Sequence, residues 1–103
     1  MHIIILITAK ERKEAEKIAK SLIKNKLAAC VNIVSGIKSF FLWQGKLNQV
    51  EETLLIVKSR KEKFNKIAKL VKASHSYDVP EIIAMPIVSG FKPYLSWIND
   101  SIR

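Results

Sequence analysis

The densest run of chemically versatile side chains is His75-Ser76-Tyr77-Asp78-Val79-Pro80-Glu81, which sets an imidazole, a phenol and two carboxylates within seven residues. Histidine is the usual ligand of borderline divalent metals, and carboxylates can complete such a site. His75 is therefore the candidate metal ligand, with a divalent ion such as copper as the candidate cofactor. A structural helix-exit loop uses the same residue types without any metal, so both readings stay open, and Glu81 could equally anchor a lysine. His2, beside the terminal amine, is a second place where copper could bind adventitiously.

The rest of the inventory offers no reaction. The three glycines stand alone at 36, 45 and 90, so there is no glycine-rich phosphate loop. No serine or cysteine sits in a nucleophile motif with a histidine. Glu51 and Glu52 are neighbours on a strand, where successive side chains point to opposite faces, so they cannot share a proton. No enzymatic activity is expected. Cys30, inside Leu27-Ala28-Ala29-Cys30-Val31, reads as a small buried hydrophobe. As the only cysteine it excludes an intramolecular disulfide and any multi-cysteine zinc site.

Charge points in the same direction. Lysine and arginine number 18 against 9 acids, a net charge of +9. Such an excess can mark a nucleic-acid surface. Here only Arg12, Arg60 and Arg103 are arginines, and base or bidentate phosphate recognition relies on that residue. The lysines are spread along helices as solvated faces, and no specific nucleic-acid partner is expected. No apolar run approaches the roughly 20 residues of a membrane span. The opening Met1-His2 followed by Ile3 to Ile7 is too short for a signal peptide, and the expected location is the cytoplasm. At 103 residues, 49% apolar, the chain fits one domain over 1–103.

The elements that must position these groups follow a repeated grammar. Ile3 to Ile7 is an unbroken β-branched run, the pattern of a buried strand. Thr8-Ala9-Lys10-Glu11 predicts a capping box. Ala15, Ile18, Ala19, Leu22, Ile23 and Leu27 then keep helical spacing. Leu54 to Val57 is a second strand, Ser59-Arg60-Lys61-Glu62 a second predicted box, and Phe64, Ile67, Ala68 and Val71 a second stripe. Ile82 to Val88 closes the pattern. Two strand-helix-strand halves make an α+β, ferredoxin-like βαββαβ sandwich, with both helices on one sheet face. Proline lacks the amide a central strand must donate, so Pro86 predicts an edge strand, as the order 4-1-3-2 requires. After Gly90, the residues Phe91, Tyr94, Leu95, Ile98 and Ile102 predict a short C-terminal helix, with Pro93 near its start.

Between Ala28 and Ser59 there is no helical period, only strand-like sequence broken at Ser35-Gly36 and around Gly45. It reads as a central β-hairpin whose arms exceed the usual five or six residues. Ile37, Ser39, Phe41 and Trp43 share one face; Lys38, Phe40, Leu42 and Gln44 share the other. Two helices cannot cover so long a ribbon, so its tip should project with Phe40, Phe41 and Trp43 exposed. An exposed apolar ribbon aggregates unless another chain covers it, which predicts an oligomer assembled through those residues.

Several blocks together resemble the CutA family of divalent-cation-tolerance proteins. They are Leu27-Ala28-Ala29-Cys30-Val31-Asn32, Trp43-Gln44-Gly45-Lys46, Leu55 to Lys58, His75 to Ile83, and Tyr94-Leu95-Ser96-Trp97-Ile98. The resemblance implies a homotrimer formed through extended strands and a role in tolerance of copper and other heavy metals. It also implies a likeness to the trimer of the PII signalling proteins, so that a small-ligand module is the alternative function. In that alternative, clefts between subunits lined by Lys58, Tyr77, Glu81 and Tyr94 would hold a small anion. The copper ligands of one bacterial member, a cysteine and two adjacent histidines, fall on Ile7, Ser74 and His75 of this sequence, leaving only His75.

Overall fold

Alternation along the first strand decides where the core lies. The computed structural model describes all 103 residues, Met1 to Arg103. Its elements are β1 (His2–Ala9), α1 (Arg12–Lys24), β2 (Cys30–Trp43), β3 (Lys46–Arg60), a 3-10 turn (Lys61–Lys63), α2 (Phe64–Ser74), β4 (Ile82–Pro86) and α3 (Lys92–Ser101). Ile3, Ile5 and Ile7 of β1 point to one sheet face, joined there by Leu55 and Val57 of β3. Ala15, Ile18 and Leu22 of α1, with Ile67 and Val71 of α2, cover that face and complete the core. The apolar side chains are wholly or almost wholly buried because both helices present their stripes to one continuous β-branched surface.

The four strands form one antiparallel sheet in the order β2-β3-β1-β4. This is the predicted ferredoxin-like α+β plan, and β4, carrying Pro86, is an edge. The strand ends at Pro86 instead of running on to Val88. One more amide, that of Ile87, donates to the His2 carbonyl at 3.0 Å before the chain leaves the sheet.

Both predicted capping boxes are displaced. Thr8 continues β1, paired with Leu54, and α1 starts only at Arg12, with no side-chain cap on its first turn. The reach-back falls to Glu14, whose Oε1 accepts the Lys10 amide at 3.0 Å. Ser59 likewise stays in β3, wholly buried, and donates its hydroxyl to the Leu27 carbonyl at 2.6 Å. Sheet pairing outweighs capping at both places because each serine or threonine still has ladder partners on a neighbouring strand.

The arms of the hairpin, β2 and β3, run 14 and 15 residues. Gln44 and Gly45 turn the chain with φ of 52° and 77°, the two-residue geometry that matches the strand twist. The predicted break at Ser35-Gly36 is a β-bulge within a continuous β2, where the register shifts between Val34 and Ile37. Gly36, at φ 73°, supplies the left-handed residue there. Past the bulge the ribbon is only partly covered, the loop from Tyr77 to Glu81 bordering the face of Phe41 and Trp43. Phe40 is 61% and Trp43 63% exposed, and Phe41, Leu42 and Leu47 are exposed with them.

The second sheet face is only partly covered. There α3 buries Ile98 and Ile102, and His2 and Arg60 both bond to Asn99 on that helix, Arg60 donating at 2.6 Å. Ile83 and Met85 of β4 remain exposed on the same face.

Candidate functional site

Glu52 is the one carboxylate that β3 turns inward. The bulge opposite it sets Ile37 as its partner, so Glu52 shares the open sheet face with Leu54 and Ile56, whereas Glu51 is exposed on the other side. Glu52 is 8% exposed and accepts a hydrogen bond from the Tyr77 hydroxyl at 2.7 Å. No lysine, arginine or histidine lies within ion-pair distance of it. Burial raises the Tyr77 phenol well above its ordinary value, and the Glu52 carboxylate beside it pushes further in that direction. Tyr77 therefore keeps its proton and serves Glu52 as a fixed donor.

His75 builds the platform under that pair. Its side chain is wholly buried at the exit of α2. Nδ1 accepts the Tyr77 amide at 3.0 Å, which leaves Nε2 as the protonated nitrogen, and Nε2 donates to the Thr8 carbonyl at 2.7 Å. The ring lies 4.8 Å from that of Tyr77. Both nitrogens are thus engaged, and His75 as placed presents no lone pair to an ion. Ile7 is wholly buried in the core and supplies no donor. Within one chain no three histidine, cysteine or carboxylate side chains come together closely enough to hold a metal.

Glu14 ties α1 to the same loop. Burial alone would raise its carboxyl, but the amides of Lys10 and Ser76, with the Ser76 hydroxyl, outweigh it and hold the group below the ordinary 4.5. A depressed folded-state value stabilises the fold above the unfolded value and is lost as pH falls through the folded one. The melting-temperature gap between the parent chain and Glu14→Gln is therefore expected to be constant near neutrality and to close below about pH 4.5. A gap independent of pH down to 3 would show that the carboxylate contributes nothing as an ion.

The four residues expected in a cleft fall into two groups. Tyr77 and Glu81 line a groove of about 520 Å³ along the outer half of the hairpin, with Phe41, Trp43, Val50 and Glu52. Lys58 lies six residues further along β3, about 20 Å away at strand spacing. It donates to Asn32 there, beside Cys30, its partner in the ladder. Tyr94 belongs to this second group; burial and then the Cys30 thiol raise its phenol. Cys30, expected to be buried, is only half-buried, because it sits at the rim of the open face where α3 gives incomplete cover. One chain therefore does not gather all four residues into one site.

Fold and site together can be set against known proteins. A family model described as CutA1 divalent ion tolerance protein matches residues 3–101. The chain belongs to the CutA1 family. A divalent-cation tolerance protein CutA of Archaeoglobus fulgidus is 52% identical over the full length of both chains. The solved structure of that organism's periplasmic divalent cation tolerance protein CutA superposes with a TM-score of 0.97 at 51% identity, covering all of both chains. A chloroplastic CutA of Arabidopsis thaliana is 45% identical over 98% of this chain and 56% of that protein. The names of these CutA1 relatives thus span more than one compartment. No helix of this CutA1-family chain is long and apolar enough to cross a membrane.

Sequence reasoning missed Glu52 as a site residue, although a signal was present. Glu52 interrupts an apolar alternation, Leu54 and Ile56 following on the same strand face, and a charge at an inward strand position calls for a partner. The role of His75 as support for Tyr77 had no such signal, since it rests on backbone groups of β1 and of its own loop.

Proposed function

We propose that this chain acts in divalent-cation tolerance as a non-enzymatic homotrimer that holds a cation weakly in clefts between subunits. The observation that carries this reading is Glu52, a carboxylate nine-tenths buried whose only bond is to a neutral phenol. A buried charge without an opposite charge is costly, so the pocket is built to receive a cation. Glu81 and Asp78 line the same groove and add negative charge. Copper or another divalent ion would bind at these carboxylates, with further donors from a neighbouring subunit, because His75 has no free nitrogen. The exposed aromatics Phe40, Phe41 and Trp43 support assembly, and the names of the family and its relatives support a role in divalent-cation tolerance.

The PII-like alternative, a small anion in the same clefts, has one feature in its favour. Lys58 faces the open side of the sheet with an amide, not a carboxylate, as its partner. The acid-lined groove at Tyr77 and Glu81 opposes an anion there.

Calorimetric titration of the assembled protein with copper(II) tests the reading. Saturable binding is expected, weakened about tenfold or more by Glu52→Gln, the equivalent of one charge-assisted contact. A flat titration, or binding indifferent to Glu52, would sink the cation site and leave the fold intact.

A further inference from the structure

The helix layer turns a row of unpaired lysines to solvent. At about 100° per residue, Lys13, Lys17, Lys20 and Lys24 fall within about 60° of one another on α1. They stand directly opposite Ala15, Ile18 and Leu22, which are buried in the core. Successive members are three or four residues apart, so neighbouring side chains start about 5–6 Å from each other along roughly 16 Å of helix. All four are exposed, and none lies within ion-pair distance of a carboxylate. The two acids of α1 are engaged elsewhere: Glu16 with Arg12 at 2.9 Å, and Glu14 with the amides of Lys10 and Ser76. On the same layer α2 contains no acid, and Lys66, Lys69 and Lys72 are exposed opposite buried Ile67 and Val71. Of these three only Lys72 has an ionic partner, Asp78 at 3.7 Å.

Like charges at this spacing repel one another, and an extended polyanion relieves that repulsion along the whole row. Three kinds of polyanion differ in what else they ask of the surface. Helices that lie on a lipid surface also insert apolar side chains, and Ile23 is the one large apolar side chain that α1 and α2 expose. Single-stranded nucleic acid is held by stacking on aromatic rings. The only aromatic on the two helices, Phe64, is packed against the core. A duplex presents its phosphates in rows and is held along its backbone by point charges alone. Lysine is such a charge, so the scarcity of arginine, which tells against base readout, is no obstacle to backbone contact. Double-stranded RNA is told apart through its 2′-hydroxyls. The one amide beside the row, Asn25, is already bonded to the Ser21 carbonyl.

We infer that the outer face of α1, flanked by α2, is a sequence-indifferent contact surface for the phosphate backbone of double-stranded DNA. None of these lysines is on the hairpin proposed to join the subunits or on the open sheet face, so each subunit keeps the surface free. The inference is independent of the cation site proposed at Glu52, which lies on the other face of the sheet.

The test is the fluorescence anisotropy of a labelled DNA duplex of about 30 base pairs, titrated with the assembled protein from about 50 to 200 mM salt. Binding without sequence preference is expected, its log K falling linearly with log salt. Lys13→Gln, Lys17→Gln, Lys20→Gln and Lys24→Gln together should weaken binding about tenfold or more at the low-salt end and make the slope shallower by about 3. A charge-matched chain with Lys38→Gln, Lys46→Gln, Lys92→Gln and Arg103→Gln should lose less than about threefold and keep the slope. Glutamine is as good a helix former as lysine, so the α1 variant should fold, as circular dichroism will show. Lys66→Gln with Lys69→Gln is a second arm on α2, expected to make the slope shallower by about 1–2. Equal losses in the α1 and charge-matched variants would reduce the effect to net charge and overturn the inference. So would no binding at low salt, or tighter binding of an RNA duplex or of phosphatidylserine vesicles. Copper(II) titration of the α1 variant should match the parent, so the DNA surface and the cation site stand or fall separately.

Discussion

A chain carrying Phe40→Ser, Phe41→Ser and Trp43→Ser is expected to run in light scattering at the 11.7 kDa of one subunit, and the parent at three times that mass. The three aromatics stand on both faces of a ribbon that the chain itself covers only in part, Phe40 on one side and Phe41 with Trp43 on the other. Burying each against a neighbour is worth roughly 2–3 kcal/mol, or about 6–9 kcal/mol for every subunit. Association has to offset its own loss of translational and rotational freedom, so a loss of that size removes the assembly. The core of β1, β3, α1 and α2 lies elsewhere, so circular dichroism should still show a folded chain. An unchanged mass would mean that the partly covered sheet face around Ile83 and Met85, and not the hairpin, holds the subunits together.

His75→Ala is expected to lower stability by about 2–4 kcal/mol, since it orphans a buried backbone carbonyl and a backbone amide and leaves a cavity. The affected groups are the Thr8 carbonyl and the Tyr77 amide, so the loop carrying Tyr77 should loosen and the bond to Glu52 weaken. Copper binding should fall only as far as Tyr77 is misplaced. His75→Gln, which can accept and donate at similar reach, should recover part of the stability. The opposite outcome, full stability with copper binding abolished, would make the imidazole a ligand and would require a ring position different from the one observed. Chemical denaturation and calorimetry on the same samples separate the two.

How far these features were legible in the sequence depends on the range of the interaction concerned. The strand order was legible because Pro86 and two repeats of strand-then-helix periodicity constrain it independently, one through a missing donor and one through spacing. The hairpin was legible because no helical period survives between Ala28 and Ser59. Element starts were not. Thr8 and Ser59 look like helix caps when only local residues are weighed, but their ladder partners Leu54 and Ile3 are far away in sequence. The site was half legible. The run from His75 to Glu81 is visible as chemistry, yet its partner Glu52 is 25 residues from Tyr77 and joins it only through the fold. His75 shows the same limit: its residue type suggests a metal ligand, and its contacts make it a positioning residue for Tyr77. Lys58 and Tyr94, expected in one cleft with Tyr77 and Glu81, both lie beside Cys30 instead, about 20 Å along the sheet, so a single chain does not gather the four.

The most direct measurement of the central claim is a crystal structure of the assembled protein soaked with copper(II), with the ion located by anomalous scattering. The expected result is three chains around a threefold axis, hairpins buried between them, and an ion bound to Glu52 or Glu81. A free hairpin, or copper found only at His2 and the chain terminus with Glu52 still unpaired, would contradict it.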